Sequence, residues 1–500
     1  MVICSQTFPL SLFLIGTLII FVSFKWFSQS KTKKNTPPSP PTLPIIGNFH
    51  QLGSSPRRAL RDLSQKYGPL MLLHLGSVPT LIASSAEVAQ EIMKTHDLAF
   101  SDRPSLSIPD ILFYKSKDIA FSRYGEYWRQ LKSIVVLHLL SNSRVKSYSK
   151  VRKEETSRVI DALGDSPGSS VDMSALLGIY TSNVLCRVAF GRTYEGLGFT
   201  NKLKKFVNML GTFCVGSFIP WLSWIDRLTG LKGKAYEIFN ELDRFLEGVI
   251  KEHLHKKTGE ADDQGEETQD FVDILADIQR ENATGFSLSD DTLKAVIMDV
   301  FVAGSDTVFS SLEWAISELI KHPRVMKKLQ EEVTKVAQGK PMIPEEDLDE
   351  MKYLKSVVKE ALRLHAPLPL LLAREARQAV NLMGYDVPPK TQVVINAWAI
   401  ARDPASWEEP EDFKPERFLN STVDYKGIHY EFLPFGAGRR GCPGLYFGIT
   451  LIEVILANIV YKYDLTLPNG VKSEDLDMTE ADGITVQRKF PLLVVSSPRV

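Results

Sequence analysis

The ten residues Phe435-Gly436-Ala437-Gly438-Arg439-Arg440-Gly441-Cys442-Pro443-Gly444 hold four glycines, a proline and one cysteine, and an apolar run from about Leu445 to Tyr461 follows directly. Such a segment is no strand or helix interior, since glycine costs backbone entropy in both and proline removes a donor. It is a loop that opens onto a helix. Gly436, Gly438 and Gly441 satisfy G-x-G-x-x-G, with Asp464 about 23 residues beyond, so a dinucleotide-binding fingerprint is formally present. That fingerprint needs a buried Val/Ile-rich strand before it, whereas Tyr430 to Phe435 is mixed, contains Pro434 and has no β-branched residue. The other chemistry makes Cys442 a metal-bound thiolate. Amide groups and the macrodipole at a helix start favour an anion, and glycines let the backbone approach both the sulfur and a flat cofactor. A buried free cysteine is the bland alternative.

The first 24 residues, Met1 to Phe24, carry no charge. As a helix they would span roughly 36 Å, enough for a bilayer core of about 30 Å. Lys25, Lys31, Lys33 and Lys34 follow, with Trp26 suited to the interface, and a basic collar is retained on the cytoplasmic side. A cleaved signal peptide fits less well, because the basic n-region and a small-residue cleavage site are both missing and the apolar run is too long. Pro37, Pro38, Pro40, Pro41 and Pro44 then favour a stiff, extended connector. We therefore expect a transmembrane anchor over 1–24, a basic and proline-rich hinge over 25–45, and a globule over 46–500.

That globule has the means to build a core. The chain is 500 residues long, 44% hydrophobic and 24% charged, which excludes bulk disorder. Its 59 basic and 60 acidic residues nearly cancel, so whole-chain charge gives no case for a nucleic-acid partner. Cys4, Cys186, Cys214 and Cys442 are too few and too dispersed for a disulfide scaffold or a paired-cysteine zinc site. Leu70 to Ser84 reads as two strands around a Gly-Ser turn, and Ala379 to Asn396 as a second pair around Pro388-Pro389. Most other segments have helical period. The longest runs from about Asp290 to His322, with a capping box at Ser287 to Asp290 and a stop at Pro323. Lys256 to Asp270 is polar and reads as an exposed loop.

The decapeptide resembles the haem-binding loop of the cytochrome P-450 family, Phe-x-x-Gly-x-Arg-x-Cys-x-Gly, at every fixed position. The resemblance implies a mainly α fold with a small β-rich lobe behind the membrane anchor, so that 46–500 is a haem-binding catalytic domain. It implies haem b with Cys442 as axial thiolate, Phe435 packed near the sulfur and Arg440 on a haem propionate. Thiolate ligation pushes electron density onto iron and favours O–O cleavage.

Further motifs are similar to the same family. Glu360 and Arg363, at i and i+3 in Lys-Glu-Ala-Leu-Arg, share a helix face and alone would be worth a few tenths of a kcal/mol; by the resemblance they form a buried structural network with Arg417 of Pro-Glu-Arg-Phe. Ala303-Gly304-Ser305-Asp306-Thr307 places small and polar residues in the long apolar helix. The family pattern gives Gly304 the task of making room for oxygen, and Asp306 and Thr307 the acid and alcohol of a proton relay. Trp128-Arg129-Gln130-Leu131-Lys132 resembles the Trp-Arg-x-x-Arg/Lys helix, with Trp128 and Arg129 directed at a propionate. Arg374 of Leu-Ala-Arg-Glu becomes another propionate donor.

Pro-Pro-Ser-Pro-Pro, Pro-Glu-Arg-Phe and Trp-Ala-Ile-x-Arg-Asp-Pro together look like a plant microsomal enzyme of the A-type group. The implied partners are molecular oxygen, a small lipophilic substrate, the endoplasmic reticulum membrane and an NADPH-dependent flavoprotein reductase. The globule would face the cytosol. By family analogy the pocket is lined by Ser105 to Ala120, Met298, Val302, Leu368 to Leu372 and Ile484, mostly apolar, which suits hydroxylation or a related C–H oxidation of a terpenoid, coumarin or furanocoumarin, or alkaloid. Phe213, Phe218, Ile219, Trp221 and Trp224 are candidates for a membrane-dipping entrance. A Rossmann-type NADPH dehydrogenase and a non-catalytic single-pass membrane protein are the rival classes, and neither would hold haem.

Overall fold

A helix of 32 residues, Asp290–Lys321, runs through the middle of the molecule. At 1.5 Å per residue it spans about 48 Å. Leu293, Val296, Phe301, Leu312 and Leu319 are all buried on it, as are residues on its other faces, so it is a core helix and not a surface one. Its cap is Ser289, whose Oγ accepts the Thr292 N–H at 3.2 Å, rather than Ser287, which lies outside the described residues. His322 ends it, and Pro323 opens the next helix, Pro323–Ala337, where a missing N–H costs nothing.

The computed structural model describes residues 16–17, 35–165, 168–194, 199–256, 269–281 and 288–499. All but two residues of the expected anchor over 1–24, the basic collar and most of the polar Lys256 to Asp270 stretch fall outside them. Helices Met173–Phe190, Lys352–Leu364 and Leu445–Lys462 pack against the central one. Among the described residues three helices, Met173–Phe190, Asp290–Lys321 and Leu445–Lys462, are long and apolar enough to cross a membrane, yet 61–72% of the most apolar 18-residue stretch of each is buried inside the protein. Their apolar surface forms the core.

The β-rich lobe is built on a four-stranded sheet. Leu70–Leu75 and Val78–Ala83 form the expected hairpin around Gly76-Ser77, with Leu70 opposite Ala83. Gln392–Ile395 then adds parallel to Val78–Ala83, and Arg374–Glu375 antiparallel beyond it, with Arg374 opposite Val393. The second expected pairing is corrected. Val380–Leu382 pairs with Tyr385–Val387 around Met383-Gly384, and the strand after Pro388-Pro389 leaves for the larger sheet. Two prolines lack the donors a ladder needs, whereas Met383 and Gly384, at φ of 52° and 87°, supply the left-handed pair of a tight hairpin. The lobe's outer strand carries Arg374 inward, toward the cysteine loop.

Candidate active site

Between the central helix, the cysteine loop and the start of the Leu445–Lys462 helix lies an internal space of about 1500 Å³, part of it open to solvent. Cys442 faces it. Protein surrounds the thiol, and its free surface belongs to this cavity. No strand precedes the loop: Tyr430 to Ala437 is turn and irregular chain, which removes the dinucleotide-binding alternative. The Cys442 N–H donates to the Phe435 carbonyl at 3.0 Å, and Gly441 N–H to the Gly438 carbonyl at 3.0 Å, so the loop curls back on itself. Gly436 and Gly438, at φ of 64° and 68°, make that curl possible. Burial pushes the Cys442 thiol up, while the Gly444 N–H and the Lys132 ammonium favour the thiolate. Phe435 lines the same space, its ring 5.7 Å from Tyr425.

One wall of the cavity is cationic. Arg103, Lys132, Arg374 and Arg440 all line it. Arg440 lies 4.3 Å over the Trp128 ring and donates to the carbonyls of Ser101, Ile119 and Ser122 at 2.7–3.1 Å. Trp128 Nε1 donates to Ile119 O at 2.9 Å. Arg103 donates to the carbonyls of Ala120, Leu372 and Ala373 at 2.7–2.8 Å. Burial, then the charges of Arg440 and Arg374, hold Arg103 well below its ordinary value; burial and Arg374 push Arg440 down to about 10. Such crowding of buried cations calls for anionic groups in the cavity itself. The two carboxylates of a haem, beside a thiolate able to bind its iron, match that requirement.

Arg129 is not part of this wall. It is exposed and does not line the cavity, whereas Lys132, four positions after Trp128, does. A step of one residue turns a helix by about 100°, and a step of four returns to the same face. The same rule splits Asp306 from Thr307. Thr307 lines the cavity, its Oγ1 donating to Ala303 O at 2.6 Å. Asp306 turns away to the C-terminal segment, where its carboxylate accepts Thr485 Oγ1 and, at 2.5 Å, Gln487 Nε2. Burial raises its pKa, and those two donors oppose the rise. At Gly304 a Cβ would stand 3.0 Å from Leu185 Cδ2, so the glycine admits the neighbouring helix as well as lining the cavity.

The helix face presented is that of Asp299, Val300, Ala303, Gly304 and Thr307, in place of the expected Met298 and Val302; Ile484 is not among the lining residues either. Ile119, Ala120, Leu368, Leu371 and Leu372 line it as expected. Sequence reasoning passed over Arg103, Asp97 and Asp299. Asp299 Oδ2 accepts the Ile119 and Ala120 amides at 2.8 and 3.1 Å, pinning that loop to the central helix, and burial pushes the carboxyl up to about 6. No local spacing marks any of the three.

Glu360 and Arg363 lie away from the cavity and are fully buried. Arg363 meets Glu360 through two nitrogens at 2.8 and 2.9 Å, and Arg417 Nε adds a third contact at 3.0 Å. The remaining Arg363 donors reach the carbonyls of Ala401, Pro410 and Asp412 at 2.7–3.1 Å. Every charge here is paired and hydrogen-bonded, the condition under which a buried ionic network is tolerated.

Comparison with known proteins agrees with this geometry. A family model described as cytochrome P-450 matches residues 37–494. A 3-beta-hydroxylase of Tanacetum parthenium is 53% identical over 498 residues, covering 99% of each chain. Psoralen synthase of Ammi majus is 50% identical over 492 residues, covering 98% of this chain and 97% of its own. A solved zebra fish cytochrome P-450 with abiraterone superposes with a TM-score of 0.75 at 26% identity, covering 89% of this chain and all of that one.

Proposed function

The chain belongs to the cytochrome P-450 family, and from that premise we propose that it oxidises a small lipophilic plant metabolite, with haem held by Cys442. When bound, haem supplies the oxygen activation that C–H oxidation needs, with electrons from a separate reductase. The observation that carries the proposal is the placement of Cys442 in a cavity that has Thr307 on its helical wall and four cations on one side.

Each of these residues has a separable task. Cys442 presents a thiolate, favoured by the Gly444 amide and by Lys132. Arg103, Lys132, Arg374 and Arg440 would hold the carboxylates of a haem, with Trp128 supporting the last of them as a flat platform. Thr307 keeps a proton at Oγ1 on the Ala303 carbonyl, from which the hydroxyl can turn into the cavity. Asp306 works from outside, tying the helix to Thr485 and Gln487 one residue away. Glu360, Arg363 and Arg417 keep the scaffold rigid behind the loop.

The substrate side is apolar. Val300, Ala303, Leu368 and Leu372 offer shape and few polar anchors, so the substrate is a terpenoid, coumarin or furanocoumarin, or alkaloid, undergoing hydroxylation or a related C–H oxidation. The names of the two plant relatives, a hydroxylase and a psoralen synthase, support this range.

We place the protein in the endoplasmic reticulum membrane, anchored once through residues 1–24 with the globule in the cytosol, where an NADPH-dependent flavoprotein reductase docks. An apolar surface supports this. Leu43 and Ile45 at the end of the hinge, and Phe213, Trp221, Trp224 and Leu228, are each 46–78% exposed, and Phe49 joins the two segments at 5.1 Å from Phe213. Phe218 is half-buried and Ile219 buried, so the exposed aromatics are Phe213 and the two tryptophans. The test is turnover of the membrane-anchored protein, with such a reductase and NADPH, against a panel of these metabolites. An oxygenated product from one class supports the proposal, and NADPH- and reductase-independent turnover, or none across the panel, contradicts it. Topology is read separately at Asn420, an exposed N-glycosylation sequon that must stay unmodified in plant microsomes.

A further inference from the structure

Asp97 follows the short helical segment Glu91–Thr95 and belongs to none of the motifs the sequence displays. Its carboxylate faces two ways. Oδ1 lies 3.1 Å from Arg374 Nη1, while Oδ2 accepts the Arg439 N–H at 3.0 Å and stands 3.4 Å from Arg439 Nε. Arg374 Nη2 closes the ring by donating to the Ala437 carbonyl at 2.8 Å. One carboxylate and one guanidinium thus hold the cysteine loop at two residues, Ala437 and Arg439, on either side of Gly438.

The fit leaves no slack. A Cβ at Gly438 would stand 2.6 Å from Asp97 Oδ1 and would also strike the Met93 carbonyl, so the loop approaches this carboxylate as closely as a residue without a side chain allows. Asp97 also has an electrostatic part. Of the four cations on the cavity wall, only Arg374 has a carboxylate within ion-pairing distance among the described residues, and that carboxylate is Asp97. Asp97 itself does not line the cavity. It stands behind Arg374, and its far side borders a small surface recess formed with Lys94, Ile428 and Tyr430.

We propose that Asp97 is a positioning residue for the haem site: through Arg374 it sets the charge of the cationic wall, and through the Arg439 amide it holds the loop that carries Cys442. This rests on the haem-thiolate reading of Cys442. Outer partners of metal ligands tune both the electronics and the retention of the metal group. Removing the negative charge makes the wall more positive and favours the reduced iron. Removing the acceptor as well frees the Arg439 amide and loosens the loop.

Two variants separate these effects. Asp97→Asn keeps the shape and an acceptor but removes the charge, and Asp97→Ala removes both. The measurements are the haem midpoint potential by spectroelectrochemistry, the rate of haem transfer to a capture apoprotein, and the Soret band of the reduced carbon monoxide adduct. Asp97→Asn should shift the potential to a more positive value with a thiolate-type band. Asp97→Ala should also release haem faster, by about tenfold or more, and lose part of that band. If Asp97→Ala takes up no haem, the potential of Asp97→Asn decides alone. Unchanged potential and release in variants of a protein whose wild type shows the thiolate band would overturn the proposal. A wild type without that band would instead overturn the assignment of Cys442.

Discussion

Asp306 and Thr307 are consecutive residues that serve different parts of the protein: Asp306 accepts the Gln487 side-chain amide at 2.5 Å, and Thr307 places its hydroxyl at the cavity, 2.6 Å from the Ala303 carbonyl. A relay in which both groups touch the reacting centre is not what this helix presents. Thr307 lines the cavity, and Asp306 fastens the helix to the C-terminal segment at Thr485 and Gln487.

Replacement should separate the two. Thr307→Ala is expected to take up haem normally but to lower product formed per NADPH consumed by about tenfold or more, since a positioned proton donor contributes at least that much. Asp306→Asn, which can still accept from Gln487 and bond Thr485, should leave that ratio within about twofold. Equal uncoupling in both variants would show that Asp306 delivers protons as directly as Thr307 does.

Glu360→Ala should destabilise the fold by about 3–5 kcal/mol, because it strands the buried Arg363 guanidinium and removes the partner of Arg417. Chemical denaturation of the apoprotein, which does not depend on haem, provides the measurement. A loss below about 1 kcal/mol would mean that the network is as weak as an exposed pair.

At the cationic wall the expectations for Arg129 and Lys132 differ. Lys132→Ala should weaken haem retention by about tenfold, and Arg129→Ala should leave it unchanged. Haem transfer to a capture protein distinguishes them, and the reverse order would show that the exposed residue is the one that reaches the cofactor.

These residues also show what could be read from sequence. Cys442 and its glycines, and the Glu360–Arg363 spacing, were legible because short-range geometry imposes them: a tight curl at positive φ in one case and one helix face in the other. Arg417 was tied to that pair only by family resemblance. Arg129 in place of Lys132, and Met298 in place of Val300, are errors of helical phase, where the segment was found and its inward side misjudged. Arg103 and Asp97 were not legible at all. Arg103 donates to carbonyls, and any residue offers a carbonyl; Asp97 meets partners at Arg374 and Arg439, hundreds of residues away. The mispaired strands failed for a related reason, since Pro388-Pro389 looks like a turn in sequence while Val78–Ala83, the parallel partner of Gln392–Ile395, lies over 300 residues earlier.

Glu453 on the Leu445–Lys462 helix gives a pH prediction. Burial outweighs the attraction of Lys355 and Lys359 and pushes its carboxyl up to about 7. The folded protein therefore binds a proton that the unfolded chain releases near 4.5, so this residue's contribution is present below that pH and is lost as pH rises through 7. Glu453→Gln should raise stability at pH 8 by up to about 3 kcal/mol and change it little at pH 5. Thermal unfolding at the two pH values measures this, and equal effects at both would place the cause in packing instead of charge.

The central claim is that Cys442 is the axial thiolate, and the reduced carbon monoxide spectrum tests it most directly. Wild-type protein should show the red-shifted Soret band of a thiolate-bound haem, and Cys442→Ala should lose it while unfolding at a temperature close to that of the wild-type apoprotein. A red-shifted thiolate band retained in Cys442→Ala would contradict the account, because among the described residues no second thiol lines the cavity.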